Sequence, residues 1–245
     1  MHCLPETRQL ALWGERHQLL HMKKSTGYQQ NDAGYALHAL LRTAFGALAP
    51  KPFWYRGARE GLLAFTTHDP ESLRQNAALA PPEVATVLGL DAGAGTLGLI
   101  FRRYPTIWQT GHQLNFEVRV RPVVRVRDGA ERDVFQLQAE RKPSDSAILT
   151  RASVYSEWLR QQLLRHEAAK LVSAELIQFR LTSLLRQTVP QADGSRTRGL
   201  VTGPEAVLTG RLEVNNPEAF SSLLARGIGR HRAFGFGLLL LRPLA

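Results

Sequence analysis

The sequence has very few of the residues that build disulfides, metal clusters or membrane spans. Its one cysteine, Cys3, excludes an intrachain disulfide and a cysteine-rich zinc site. There is no run of about 18 apolar residues, and residues 1–20 mix charges with short apolar pieces instead of forming a signal peptide. Walker, GxSxG and HExxH motifs are absent. We therefore expect a cytoplasmic protein with no cofactor and no metal.

Acidic residues are scarce relative to basic ones. The chain has 21 Asp and Glu against 31 Lys and Arg, which gives a formal net charge of +10. Only five of the basic residues are lysines, so arginine supplies most of the positive charge. The planar guanidinium group matches phosphate and stacks on bases, which favours a nucleic-acid partner. A membrane surface would attract the same charge, but no amphipathic basic helix stands at either terminus.

The pattern of helices and strands predicts an α+β fold. NDAGYALHALLRTAFG has apolar residues at helical spacing and ends at Gly46, whereas RQLALWG is weakly patterned as a first strand. KPFWYRG and GLLAFTTH indicate a hairpin, and PESLRQNAAL indicates a second helix. The order strand, helix, glycine-rich loop, strand occurs in both halves. We expect two tandem ferredoxin-like (RNA-recognition-motif-like) units, at 1–128 and 129–245, with an α-helical insertion in the second.

The stretch LNFEVRVRPVVRVR has the strongest strand pattern in the chain. Apolar side chains alternate with charged ones, and Pro122 predicts an edge strand or a bulge near the middle. The arginines share the face opposite the valines, which makes Arg119 and Arg121 candidate nucleic-acid contacts. A half-buried strand with a solvated polar face explains the same pattern without a ligand.

Residues 148–189 contain neither glycine nor proline and have helical spacing. One helix of that length would reach about 60 Å, so two helices meeting near residues 168–173 are predicted. We expect the insertion, residues 146–189, to be a helical finger whose arginines bind nucleic acid. An ordinary solvated helix pair, with its leucines packed into the domain, is the alternative. The candidate contacts are Arg160, Arg165 and Arg180.

The segment GIGRHRAFGFGLLLLRP, residues 227–243, concentrates four glycines beside positive charge. It predicts a loop between a helix and a strand, where glycine permits positive φ and close approach of a ligand to backbone N–H groups. The alternative is a flexible connection, although a connection needs only one or two glycines. The candidate RNA-contacting residues of this loop are Gly229, Arg230, His231, Arg232 and Gly235.

Three segments resemble the CRISPR repeat-processing endoribonucleases of the repeat-associated mysterious protein superfamily. GIGRHRAFGFGLLLL is similar to the glycine-rich signature near the end of that family's chains. DAGYALHALLRTAFG is similar to the first helix of the type I-E branch, in which a tyrosine and a histidine lie three residues apart. VLTGRLEVNNPEAFSSLLARGIG follows the family's final strand, helix and loop. The predicted helical insertion resembles the type IV branch instead.

The resemblance implies a catalytic pair. Tyr35 and His38 match the residues with which the family cleaves RNA without a metal, by attack of a ribose 2′-OH on the adjacent phosphate. His38 would be the general base or acid, and Tyr35 would orient the nucleotide. A histidine on a helix surface, with no catalytic role, is the simpler interpretation of His38.

The resemblance also implies cations beside the reacting phosphate. Lys23, Lys24 or Arg42 would stabilise the charge of the phosphorane. In the type IV branch the histidine need not carry catalysis, which makes Arg242, at the end of the closing strand, an alternative charge stabiliser.

The function that follows is cleavage of precursor CRISPR RNA at the base of a repeat hairpin, with the product retained in an effector complex. The expected partners are that RNA hairpin and the other effector-complex subunits, with no membrane. A non-cleaving, guide-RNA-binding structural subunit of the same fold is the alternative. A basic protein associated with ribosomes or DNA is a third interpretation, which the glycine-rich loop disfavours.

Overall fold

The computed structural model describes residues 1–17, 33–91, 98–105, 107–127, 129–141, 149–187 and 198–244. Its first unit has a three-stranded antiparallel sheet in the order β1-β3-β2, and His2 forms a further antiparallel bridge with Ile100. The elements are β1 (His2–Cys3), α1 (Thr7–Arg16), α2 (Ala33–Phe45), β2 (Phe53–Tyr55), β3 (Leu62–Ala64), α3 (Pro70–Ala78) and α4 (Pro82–Leu88).

Helix α2 supplies much of the core of the first unit. Leu37, Leu40, Leu41 and Phe45 recur at helical spacing and are fully or almost fully buried, which confirms the predicted apolar stripe. The hairpin β2-β3 and helix α3 also form as predicted. The prediction of a first strand in RQLALWG is wrong, because this segment forms α1. The Glu6 carboxylate caps this helix by accepting hydrogen bonds from its first N–H groups.

The second unit is built on a four-stranded antiparallel sheet in the order β7-β8-β4-β9. Helices α6 and α7 each connect two of its strands, as in a ferredoxin-like unit, so the predicted α+β fold of two tandem units is confirmed. The elements are β4 (Gln113–Val120), β5 (Val123–Arg125), β6 (Glu131–Asp133), α5 (Val134–Arg141), α6 (Arg151–Leu164), β7 (Ala169–Gln187), β8 (Arg198–Val214), α7 (Pro217–Arg226) and β9 (Leu239–Pro243).

The expected division of the chain after residue 128 does not separate the two sheets. Strand β4 pairs with β8 along its whole length and with β9, so residues 113–120 belong to the second sheet. Strands β5 and β6 form a separate two-stranded ribbon beyond β4. Residue 128 lies outside the described residues, between these two short strands.

The prediction of a helical finger at residues 146–189 is wrong. Only its first part is helical, and α6 packs in the core through Tyr155, Trp158 and Leu159 instead of protruding. The second part is the 19-residue strand β7. Register shifts between Leu171 and Ser173 and again after Leu176 break the strict alternation of side chains, so Leu171, Ala174 and Leu176 all pack on the core.

Strands β7 and β8 extend past the rest of their sheet. Strand β4 pairs only with residues 206–213 of β8, so residues 198–205 and their partners at 180–187 continue as a two-stranded ribbon. Arg121 anchors the base of this ribbon, because its guanidinium donates to the carbonyl oxygens of Thr182 (3.2 Å) and Val201 (3.4 Å). The prediction that Arg121 is exposed on β4 is wrong. Strand β4 ends at Val120, and Arg121 is 1% exposed.

The two units meet through their sheets. Trp54 of β2 packs against Val207 and Leu238 of the second unit. Beside this apolar contact, Arg56 Nη1 donates to Glu117 Oε1 at 2.8 Å, and the Arg56 guanidinium lies 4.5 Å from the Trp54 ring centre. An apolar patch with an ion pair at its edge therefore joins β2 to the face of β4 that carries the charged side chains.

A buried carboxylate organises the charged face of the second sheet. Glu205, with its side chain 2% exposed, accepts two hydrogen bonds from Arg119 (2.9 and 2.8 Å) and one from Arg180 Nε (2.8 Å). Burial raises the pKa of Glu205, but the hydrogen bonds and charges of the two arginines outweigh it and hold the pKa below its usual value. Arg119 and Arg180 are therefore ion-paired within the protein, in contrast to the free contacts expected from the sequence.

Removing this carboxylate tests how far the sheet depends on it. At pH 7 Glu205→Gln leaves two arginines without a counter-charge, so the free energy of unfolding falls by about 2 to 4 kcal/mol in urea denaturation. The matched control is Glu157→Gln, which removes the exposed pair with Arg160 on α6 and leaves the stability nearly unchanged. Equal stability of the two variants would contradict a structural role for Glu205.

Candidate active site

The exposed side of α2 carries the residues that the sequence singles out. Tyr35 and His38 are half-buried and Arg42 is exposed, at positions i, i+3 and i+7 of the helix. The opposite side of α2 is locked in the core, so the backbone fixes where these three side chains emerge.

The loop between α7 and β9, residues 227–238, closes against this side of α2. The Phe234 ring stacks on Tyr35, with ring centres 5.7 Å apart and planes 6° from parallel. The same ring meets His38 edge to face at 5.2 Å. Aromatic pairs in these geometries attract one another beyond their buried area. Phe234 therefore links the helix of the first unit to the loop of the second.

The glycines of this loop adopt the positive φ that the sequence predicts. However, other atoms of the protein, not a ligand, fill the space in which a Cβ would lie. A Cβ on Gly229 (φ 72°) would lie 2.9 Å from the Trp158 ring, and one on Gly237 (φ 80°) would lie 2.3 Å from the Ile228 carbonyl oxygen. A Cβ on Gly235 would approach Arg119 and Phe53 at 3.4 Å. The loop folds back on itself at these positions, so the predicted direct approach of a ligand to Gly229 and Gly235 is not what requires glycine.

One acidic side chain holds the first half of the loop. Glu131 of β6 is 2% exposed at its side chain; it accepts hydrogen bonds from Arg230 Nε at 2.7 Å and His231 Nε2 at 2.5 Å. Burial alone raises the pKa of Glu131, but the hydrogen bonds and charges of His231 and Arg230 lower this pKa to about 2. At neutral pH the carboxylate is therefore charged, and hydrogen bonds to it hold both Arg230 and His231.

Arg119 holds the second half of the loop. Its Nη1 donates to the Gly235 carbonyl oxygen at 3.3 Å, and its guanidinium lies 4.3 Å from the Phe236 ring centre. The backbone N–H of Gly237 donates to the Arg119 carbonyl oxygen at 2.7 Å. Because Glu205 fixes the Arg119 side chain, this anchor is independent of the one at Glu131.

The surroundings of His38 favour its neutral form. Burial is the main cause that lowers the pKa of the imidazole, and the positive charges of Arg42 and Lys51 lower it further. At neutral pH this imidazole is therefore unprotonated, as a group that accepts a proton must be.

The remaining predicted site residues are scattered. Arg242 lies near the end of β9, opposite Asn115, and contacts Glu117 at 3.5 Å, so the structure does not bring it to Tyr35 and His38. Arg232 donates to the Arg226 carbonyl oxygen beside the loop. Arg165 is exposed after α6, whereas Lys23 and Lys24 lie outside the described residues.

The residues that hold the site together were not predicted from the sequence. Phe234 was visible only as a part of the glycine-rich segment, and its ring contacts depend on the packing of two distant units. Glu131 lies between Asp128 and Asp133 in the sequence, Glu205 lies in a strand-like segment, and no local pattern pairs either glutamate with its arginine. The sequence feature that could have indicated such ion pairs is the small number of acidic residues in a chain so rich in arginine.

Comparison with solved structures shows the same fold in other proteins. A CRISPR endoribonuclease Cse3 bound to a 19-nucleotide RNA is 20% identical, with a TM-score of 0.56, over 99% of this chain and 97% of that one. Thermus thermophilus Cse3, bound to an RNA representing a pre-cleavage complex, is 19% identical, with a TM-score of 0.58, over 98% and 97%. A chain of a CRISPR RNA-guided surveillance complex is 16% identical, with a TM-score of 0.50, over 100% and 98%. A search of curated proteins gave no match.

The fold and the site together define a class of protein with two ferredoxin-like units, in which a glycine-rich loop of the second closes on a helix of the first. A family profile described as "CRISPR associated protein" matches residues 15–243. The chain therefore belongs to this CRISPR-associated protein family. In the described part of the chain, no helix has the length and apolar character needed to cross a bilayer.

The electrostatic environment of His38 can be measured without any assumption about activity. NMR titration of the His38 imidazole is expected to give a pKa below 6.5. Arg42→Gln removes a positive charge that opposes protonation, so the pKa of His38 rises towards, but not above, this value. Arg74→Gln, on α3, is the matched control and leaves the titration unchanged. A wild-type pKa above 6.5 would contradict this account.

Proposed function

We propose that this protein is an endoribonuclease that cleaves precursor CRISPR RNA at a repeat hairpin by attack of a ribose 2′-oxygen. The observation that carries the proposal is the contact of the glycine-rich loop with Tyr35 and His38, which places a titratable imidazole beside a basic loop. The fold shared with Cse3 bound to RNA supports the same function.

His38 is proposed as the general base. The 2′-oxygen attacks the phosphorus, its proton passes to a neutral imidazole nitrogen, and the 5′-oxygen leaves with a proton from an acid or water. The products are a 2′,3′-cyclic phosphate and a 5′-hydroxyl. The lowered pKa of His38 supports this assignment, because the imidazole is ready to accept a proton at neutral pH.

Tyr35 and the nearby cations are proposed to bind and polarise the reacting nucleotide. The Tyr35 ring is fixed against Phe234 and is placed to orient a ribose or a base beside His38. Arg42 lies one helical turn further along α2 and is exposed, so it is the proposed stabiliser of negative charge on the phosphorane. Lys23 and Lys24 remain proposed cations for the same role.

The proposed RNA contacts outside this centre are the exposed arginines. Arg165 after α6 and Arg232 of the loop are proposed to meet phosphates, whereas Arg230 is engaged by Glu131. The proposed partners are a CRISPR repeat hairpin and the other subunits of a cytoplasmic effector complex that retains the product. The surveillance complex among the structural relatives supports this proposal.

A second candidate function keeps RNA binding and omits cleavage. Glu131 engages the Arg230 guanidinium and the His231 side chain of the loop, which leaves less positive charge for a phosphorane. A guide-RNA-binding structural subunit has the same need for exposed arginines but none for a base. Cleavage assays separate the two functions directly.

Cleavage of repeat-hairpin RNA in EDTA tests the proposed reaction. We expect the wild type to cut once and to leave a 2′,3′-cyclic phosphate, identified by mass spectrometry. His38→Ala removes the general base and slows single-turnover cleavage by about 10² to 10⁴, while the Kd for RNA is retained. Thr43→Ala, an exposed change on the same helix, is the control and cleaves at the wild-type rate.

Three outcomes would count against this reaction. Loss of cutting in EDTA would contradict metal-independent attack, and full activity of His38→Ala would remove the imidazole from the mechanism. Tight RNA binding without any cutting by the wild type would favour the structural subunit.

The salt dependence of RNA binding tests the proposed phosphate contact of Arg165. If Arg165 neutralises one phosphate, Arg165→Gln flattens the slope of log K against log salt by about 0.7 to 0.9. Arg74→Gln, on α3 of the first unit, removes the same charge at a position with no proposed contact and keeps the slope. An equal effect of the two changes would mean that the overall charge, not a contact at Arg165, determines the slope.

A further inference from the structure

We propose that Glu131 is a positioning residue of the candidate active site, which acts through His231 and Phe234 on Tyr35 and His38. The catalytic part of this inference rests on the proposed function, whereas the chain of contacts does not. Glu131 belongs to β6, outside both main sheets, and its carboxylate accepts hydrogen bonds from Arg230 and His231 of the loop.

The first step of this chain is the carboxylate itself. Both oxygens of Glu131 accept a hydrogen bond from the loop, Oε1 from Arg230 and Oε2 from His231. Both the Glu131 carboxylate and the His231 side chain are almost fully enclosed, at 2% and 7% exposed. A buried, charged hydrogen bond of this kind is directional and strong, so it fixes the imidazole of His231 relative to β6.

The second step is the backbone of His231. This residue has φ 61° and ψ 28°, a left-handed conformation that a residue with a Cβ rarely adopts. Such a conformation persists where the surroundings hold it, and the bond to Glu131 is a contact that does so. The His231 carbonyl oxygen in turn accepts a hydrogen bond from the Phe234 N–H at 2.8 Å. The turn that Glu131 stabilises is therefore the turn that carries Phe234.

The third step is the Phe234 ring, which contacts both proposed catalytic side chains. It stacks on Tyr35 and meets His38 edge to face, and its centre lies 6.3 Å from the centre of the His231 ring. Phe234 is half-buried, so its direction depends on the turn more than on a surrounding core. A change in the turn is therefore transmitted to the rings of α2.

The loop has a second anchor, so a change at Glu131 can alter the position of the turn without detaching the whole loop. Arg119 and Glu205 hold Gly235 and Gly237 without help from Glu131. Loss of the Glu131 charge therefore frees the turn at 231–234 and leaves the attachment of the loop to β4 in place. Glu131→Gln has nearly the shape of the native side chain, so it removes the charge with little change in packing.

The first experiment reads the position of His38 without using activity. In an aromatic NMR spectrum, the His38 ring proton is shifted by the ring current of Phe234, and Phe234→Leu abolishes this shift. We expect Glu131→Gln to move the His38 signal in the same direction as Phe234→Leu. Glu157→Gln, which removes an exposed carboxylate on α6, is the matched control and leaves the signal in place. An unmoved signal in Glu131→Gln overturns the proposal, even in a protein that cuts no RNA.

The second experiment tests the catalytic consequence in single-turnover cleavage. Glu131→Gln and Phe234→Leu each lower the rate constant by about 10- to 100-fold, because small displacements of catalytic groups have effects of this size. The Kd for RNA changes by less than about threefold, whereas a loss of RNA-binding contacts would raise it. The double variant is expected to be no slower than the slower single one, because both changes break the same chain of contacts.

The results distinguish this inference from the proposed function. Rate losses that multiply in the double variant, or a rate loss matched by an equal loss of affinity, would overturn positioning through Phe234. Phe234→Tyr keeps the ring and is expected to restore most of the rate that Phe234→Leu loses. If the wild type cuts no RNA while the His38 signal responds to Glu131→Gln, the proposed function fails and the positioning contact stands.

Discussion

The contact of Phe234 with Tyr35 and His38 is the constraint on which the candidate site depends. Helix α2 presents its two polar rings from a firmly packed core, but these rings alone make only a helix surface. The loop of the second unit adds an aromatic ring and two arginines, Arg230 and Arg232. Because the sheets of the two units are joined through Trp54 and Arg56, the two parts keep a defined separation.

The few acids of this basic chain decide which arginines are available to a ligand. Glu205 engages Arg119 and Arg180, and Glu131 engages Arg230. Asp133, also buried, accepts hydrogen bonds from Arg151 and Tyr155. Buried carboxylates require such partners, because an unpaired buried charge is costly. A net charge of +10 therefore overstates the number of arginines that can meet RNA.

Local signals predicted the elements that local chemistry determines. Helix α3 begins at Pro70, after the capping residue Asp69, as the segment PESLRQNAAL indicates. Helix α2 follows its apolar stripe in the same way. Strand β7 was predicted as a helix because two bulges disturb the period of its side chains, and bulges depend on pairing with β8. The direction of Arg121 and the partners of Glu131 depend on distant segments, so no window of sequence contains them.

The order in which the chain is made gives the Phe234 contact a further consequence. Tyr35 and Phe234 are roughly 200 residues apart, and closing a loop of this length has an entropic cost that the contact must offset. During synthesis on a ribosome, the first unit can fold while the loop that completes the site has not yet been translated. Strand β9, which fixes the end of that loop, follows later still. The nascent chain therefore exposes Tyr35 and His38 before the loop that contacts them has been made, and the site is complete only after synthesis of the second unit.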